Sequence, residues 1–224
     1  MNQRRVLRVT VLLIVGPAAL ASQVSVQAGV HIARAEHRVL DAGALVPTSG
    51  TLFAASLALD VRDRFEIRGE ALGGHFAATS TPSVDDHDVA ELQVLGAVRV
   101  RPWLELQAGP VMRSLSSPLG RQHWTIVRVG AEAHIPLALE HVRGLLGGYW
   151  MPLVSVSGLR KPDVALSLTA GVQWLGRRVG IGTVYQLERF DFPSNAGAQR
   201  LEEFSALQLR ITVWTSIRKP VSPT

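Results

Sequence analysis

Between Thr51 and Phe76, apolar and polar residues alternate in two runs separated by a short polar turn. In the first run Phe53, Ala55, Leu57, Leu59 and Val61 share one face, and Ala54, Ser56, Ala58 and Asp60 share the other. In the second, Phe65, Ile67, Gly69, Ala71 and Gly73 oppose Glu66, Arg68 and Glu70. Side chains on a β-strand alternate with a period of two. The stretch therefore predicts a hairpin with one apolar face and one face that carries charge.

The same pattern recurs to the end of the chain. A first strand is predicted over residues 23–34, where Val24, Val26, Ala28, Val30 and Ile32 alternate with Ser25, Gln27, Gly29 and His31. After the hairpin, further strands are predicted over residues 89–100, 103–113, 126–135, 142–150, 164–174, 179–189 and 207–213. Their polar faces carry Glu91 and Arg99, Glu105 and Arg113, Arg128 and Glu132, Arg143, Glu188, and Arg210. Pro110 falls inside one strand, where a missing ladder donor predicts a bulge. The connections alternate: longer near residues 40, 80, 117 and 195, shorter near 62, 102, 138 and 176, with an intermediate one near 160. Ten strands of about ten residues fit a transmembrane, all-β, antiparallel up-and-down barrel with long external loops and short periplasmic turns. Boundary uncertainty leaves eight or twelve strands compatible with the pattern.

The N-terminus changes the picture of the compartment. Arg4, Arg5 and Arg8 precede an apolar run from Val9 that finishes at Ala19-Leu20-Ala21, the form of an export signal. Residues 1–21 are read as that signal, 22–214 as the barrel and 215–224 as a polar tail; cleavage after Ala28 is the alternative. Loss of three arginines lowers the formal charge from +5 to about +2. With arginines scattered singly along strands, a nucleic-acid footprint is not expected. Cysteine is absent, which excludes disulfides and thiolate metal sites. Beyond the signal no apolar stretch is long enough for a membrane helix, so a mature chain that spans a membrane does so as a closed barrel.

Alternation alone fits both a membrane barrel and a soluble ligand-binding barrel with its apolar face inside. Two features favour lipid outside. The polar face holds a nearly balanced set, Glu66, Arg68, Glu70, Glu91, Arg99, Glu105, Arg113, Arg128, Glu132, Arg143, Glu188 and Arg210, suited to a lumen charge network. Aromatics gather at strand ends as interfacial girdles: Phe65, Trp103, Trp174 and Trp214 toward the turns, Phe53, Trp124 and Trp150 toward the loops. Trp103, Trp124 and Trp214 have inward parity. The chain thus resembles the small outer-membrane β-barrels of Gram-negative bacteria, by architecture over nearly all of the mature sequence. It departs from them at the end, where Trp214 is followed by a polar tail in place of a terminal aromatic.

The resemblance implies a lipid partner, a loop-mediated protein partner at most, and no cofactor or resident metal; it leaves the oligomeric state open. For chemistry, the sharpest cluster is Asp85, Asp86 and His87, followed by Asp88, at an external loop. Adjacent carboxylates and imidazole can polarise water. Ten-stranded proteases of the omptin type carry acidic and Asp/His pairs at the outer mouth, but the second pair has no counterpart here. Lipid-A-modifying barrels use His and Ser; His123, His134 and His141 with Ser155 or Ser157 are nominated on type alone. Two function classes follow: a non-enzymatic structural or interaction barrel, or narrow porin-like pore, whose lumen is filled by the Glu/Arg network; and a membrane-embedded hydrolase.

Overall fold

The computed structural model describes residues 24–41, 43–62, 64–78, 86–195 and 198–216. The described chain folds into ten strands: β1 (Val24–Asp41), β2 (Ala44–Val61), β3 (Phe65–Ala78), β4 (His87–Arg101), β5 (Leu104–Ser117), β6 (Gly120–Pro136), β7 (Val142–Val156), β8 (Val164–Leu175), β9 (Val179–Asn195) and β10 (Ala198–Ser216). Each pairs antiparallel with its sequence neighbours, and β1 pairs with β10 to close the barrel. The count of ten is thus fixed, and every described strand has a partner on both edges, which removes the exposed edges of an open sheet.

Following paired residues around the wall from Val24 through β2 to β10 returns to Glu36, twelve residues farther along β1. A stagger of that size in ten strands tilts them by about 40° and gives a radius of roughly 10 Å. Each residue then climbs about 2.5 Å along the axis, so an apolar belt about 25 Å tall needs roughly ten residues per strand. The outward rows have that length. On β2 the row runs from Phe53 to Val61, on β3 from Phe65 to Gly73 and on β9 from Val179 to Leu187. Its large side chains are exposed: Phe53 by 62%, Leu57 by 54% and Leu168 by 59%.

The strands are longer than the alternation predicted, and the physical reason is an inversion of the wall. Above the belt the outward residues become polar: Arg34, Glu36 and Arg38 on β1, Ser49 and Thr51 on β2, Arg189 and Asp191 on β9. The inward ones become apolar: Ala33 and Ala35, Leu52, Phe190 and Phe192. The supposed loops near residues 40, 117 and 195 are therefore ladder. Asp41 pairs with Ala44, and Ser117 with Gly120. Gly43, at φ +84° in the β1–β2 turn, supplies the left-handed backbone that so tight a reversal needs. The longer connections that remain are residues 79–86 and 157–163.

Pro110 makes no bulge. The β4–β5 register is the same on both sides of it, with Gln93 opposite Val111 and Gly96 opposite Ala108. Its missing N–H leaves a local gap in that ladder, and the neighbouring Gly109 allows close approach there, since a Cβ on it would lie 2.0 Å from the Val94 carbonyl oxygen. Register shifts occur elsewhere, at Arg99/Arg101, at Ala198/Arg200 and on β7. Val129 pairs with Trp150 but Val127 with Leu153, so Met151 and Pro152 hold one extra residue. The proposed girdle also needs correction at two positions. Trp124 is 1% exposed inside the barrel, and Trp214 points into the lumen mouth, with its Nε1 donating to the Arg177 carbonyl at 2.9 Å. Phe65, Trp103 and Trp174 lie exposed toward the short-turn end, and Phe53 and Trp150 toward the other.

Reading the belt as a lipid contact gives a direct expectation. Leu57→Arg, in the middle of the belt, should destabilise the barrel by about 2–4 kcal/mol in vesicles, whereas Ser155→Arg, above the belt, should change stability by less than about 1 kcal/mol. Urea unfolding midpoints in lipid would measure both, and equal costs would contradict lipid contact at Leu57.

Candidate functional site

Among the described residues the lumen gathers most of the buried polar chemistry, and it divides into three tiers. At the outer end is a packed apolar core. Trp124 lies edge-on to Phe190 at 4.9 Å, to Phe192 at 6.1 Å and to Phe204 at 6.2 Å. Val111, Ile126, Met151, Val154 and Phe76 complete the packing, each 5% exposed or less. Within it His37 stacks on Phe204 at 3.9 Å, shares a 3.1 Å hydrogen bond with His87, and lies 3.4 Å from Glu202. Glu202 also accepts from Arg200 at 2.6 Å. These buried polar groups satisfy one another, as burial demands.

Beneath it is an ion-pair layer. Arg113 donates to Glu91 and to Glu188, both at 2.6 Å, and its guanidinium lies 4.4 Å over the Phe204 ring. Glu188 also accepts from Arg128 and, at 3.0 Å, from Gln186. Gln93 bridges toward Glu70 at 2.9 Å. Arg113 and Arg128 stand against Glu91 and Glu188, with Glu70 as a third carboxylate, so the layer carries no surplus of positive charge. A cavity of about 50 Å³ remains between layer and core, far too small for a water-filled passage.

At the short-turn end the lumen opens into a vestibule of about 830 Å³. Arg68 pairs with Glu66 at 2.6 Å, Arg99 lies 3.8 Å from Glu105, and Glu132 is held by His134 at 3.2 Å and by the Tyr149 hydroxyl at 3.0 Å. Arg143 and Arg210 face the same space, and Arg210 Nε donates to Gln208 at 2.8 Å. All twelve residues proposed for the lumen network therefore point inward, but they form two groups of different charge balance rather than one continuous ladder.

The candidate chemistry does not assemble. Asp85 lies outside the described residues. Asp86 accepts the Ala78 N–H at 2.7 Å, which ties down the end of the β3–β4 connection. His87 points inward and is buried against His37, while Asp88 points outward and meets His75 at 2.9 Å. Successive strand residues face opposite sides of the wall, so the cluster is split by the strand that carries it. The nominated histidines are likewise scattered. His123 is exposed on the outer part of β6, His134 points into the vestibule, and His141 occupies the β6–β7 turn. Ser157 Oγ accepts the His123 backbone N–H at 2.8 Å and does not meet the imidazole. No group of three or more His, Cys, Asp or Glu suited to a metal ion occurs among the described residues.

Sequence reasoning missed the outer core and the His37–Glu202 contact. The signal was present in the inward parity of Phe76, Trp124, Phe190 and Phe204, all at positions where the polar face was expected.

No family model and no curated protein matches the sequence. Among solved structures, the outer membrane protease OmpT from Escherichia coli is similar with a TM-score of 0.58 and 9% identity, over 87% of this chain and 97% of that one. The translocator domain of the autotransporter NalP from Neisseria meningitidis aligns with a TM-score of 0.49 and 10% identity, over 84% of this chain and 88% of that one. The β-domain of the Bordetella autotransporter BrkA gives 0.47 and 13%, over 81% and 98%. The first of these likenesses is one of fold: this chain has the closed ten-stranded architecture of an outer-membrane β-barrel.

Proposed function

We propose that the chain is a transmembrane barrel of the bacterial outer membrane that acts as a non-enzymatic structural or interaction module and does not form an open pore. The observation that carries this reading is the filled bore. Trp124, Phe190, Glu188 and Glu202 are each 1% exposed or less, so packed side chains occupy the outer and middle lumen. Small barrels of this strand number are commonly filled in this way, whereas aqueous channels go with larger ones. The exposed apolar belt and the fold shared with an outer-membrane barrel support the membrane location. The dispersal of Asp86, His87 and Asp88 weighs against a hydrolase, because a general base and its orienting group must share one site.

Heated and unheated samples on a gel, after extraction with and without detergent, test the membrane reading; a heat-shifted band that requires detergent is expected. In planar bilayers the protein should give no stable unit conductance above the bare bilayer. Extraction in plain buffer would overturn the location, and a reproducible ohmic channel would overturn the closed lumen.

A further inference from the structure

We propose that the vestibule at the short-turn end is a binding site for a small organic anion, one that presents a phosphate or carboxylate group beside a compact apolar part. The first argument is charge. Among the described residues, six arginines line this space (Arg64, Arg68, Arg99, Arg101, Arg143 and Arg210) against three lining carboxylates, Glu66, Glu105 and Glu132, while Asp60 and Glu70 lie beside it against Gln27 and His31. Those carboxylates are engaged by Arg68, Arg99 and His134. Arg143 and Arg210 have no carboxylate within ion-pair distance among the described residues, and both face the cavity. The ion-pair layer above carries no positive surplus, with Arg113 and Arg128 against Glu70, Glu91 and Glu188. The surplus of positive charge is thus confined to the part of the lumen that is open.

The second argument is space. A volume of about 830 Å³ falls within the usual range of small-molecule sites, roughly 300–1,000 Å³. The cavity is kept open partly by glycines: a Cβ on Gly180 would lie 2.9 Å from the Trp214 ring, and one on Gly182 would lie 2.8 Å from Gln173. Trp214, Leu145 and Leu175 give the same cavity an apolar side. The third argument is the setting of Arg210. His31 lies beside it in the wall of the vestibule, with its buried Nε2 3.6 Å from Glu70. His31 is paired across the β1–β10 seam with Arg210, so an imidazole and a guanidinium lie side by side on neighbouring strands. Guanidinium groups bind phosphate and carboxylate through two parallel hydrogen bonds. Because packed side chains fill the lumen above, the ligand enters and leaves by the same mouth.

The test is titration calorimetry on the folded barrel in a non-ionic detergent, with phenyl phosphate as the probe and phenol and sodium sulfate as controls. Phenyl phosphate should bind in the millimolar range or tighter. Phenol should not, and sulfate should bind more weakly. Arg210→Gln should weaken binding by about tenfold or more, as the loss of a charge-assisted hydrogen bond implies. If that variant does not fold, Arg143→Gln, at an exposed position, replaces it. Arg160→Gln, in the β7–β8 connection away from the vestibule, should leave binding unchanged. Absence of binding, equal binding of sulfate, or equal weakening by Arg160→Gln would each overturn the proposal. The measurement is made in detergent, so its outcome does not depend on the bilayer conductance result.

Discussion

Glu188→Ala should cost about 3–5 kcal/mol of stability, among the largest losses available to a single substitution in this barrel. Glu188 is 1% exposed and accepts from Arg113, Arg128 and Gln186. Without it Arg113 keeps Glu91, but Arg128 retains Gln93, at 3.4 Å, and the Tyr149 ring, 5.5 Å from its guanidinium, and becomes a buried charge without an ion-paired carboxylate. Glu188→Gln preserves the size of the side chain and should be nearly as costly, because the loss is one of charge. The double variant Glu188→Leu with Arg128→Met removes both members of that pair and should recover part of the stability, since an uncompensated ion costs more than an absent pair. Urea unfolding in vesicles, or the temperature at which the folded gel band disappears, measures all three. A single-variant loss below about 1 kcal/mol would mean that water reaches this layer and screens it.

The second large effect belongs to the outer core. Trp124→Ala should destabilise by about 3–5 kcal/mol, the sum of lost burial and the cavity left behind. Trp124 touches the rings of Phe190, Phe192 and Phe204, and its Nε1 donates to Gln122 at 2.9 Å. Trp124→Phe retains an aromatic ring there and should lose much less. Because this core lies above the apolar belt, the damage should be local: the outer hairpins of Trp124→Ala should be cut by an added protease while the belt-spanning parts of the strands stay protected. Uniform protection of the outer hairpins, with an unchanged unfolding midpoint, would contradict the packed core.

The parity of nearly every strand residue was legible before the fold was known, because a period of two needs only local sequence. Phe53 to Val61 and Val164 to Trp174 read correctly as strand for that reason. The extents were not legible, since a reader who expects apolar residues outside meets the reverse order at Ala33, Arg34, Ala35 and Glu36 and takes the strand to have ended. The alternation does not stop there; its sign changes where the wall leaves the belt. The same limit hid the aromatic core, because Trp124 and Phe190 stand on a face assigned to charge. Adjacent residues were read together at Asp85 to Asp88, although a strand separates neighbours and joins residues far apart in sequence, as with Arg113 and Glu188. The uneven charge of the lumen was invisible for a related reason. The total is nearly balanced, and only height along the barrel axis separates a layer without positive surplus from an arginine-rich vestibule.

The β1–β10 seam joins the first described strand to the last, from Ser25 with Ser216 to Asp41 with Arg200. During synthesis, one edge of β1 therefore has no partner until the 19-residue β10 is available. An unpaired strand edge is a template for pairing with other chains, and contacts this distant in sequence form slowly. Closure of the barrel accordingly waits on β10. A chain interrupted before β10 presents two open edges and an apolar belt, which is the form of the protein most prone to aggregate and most in need of an escort.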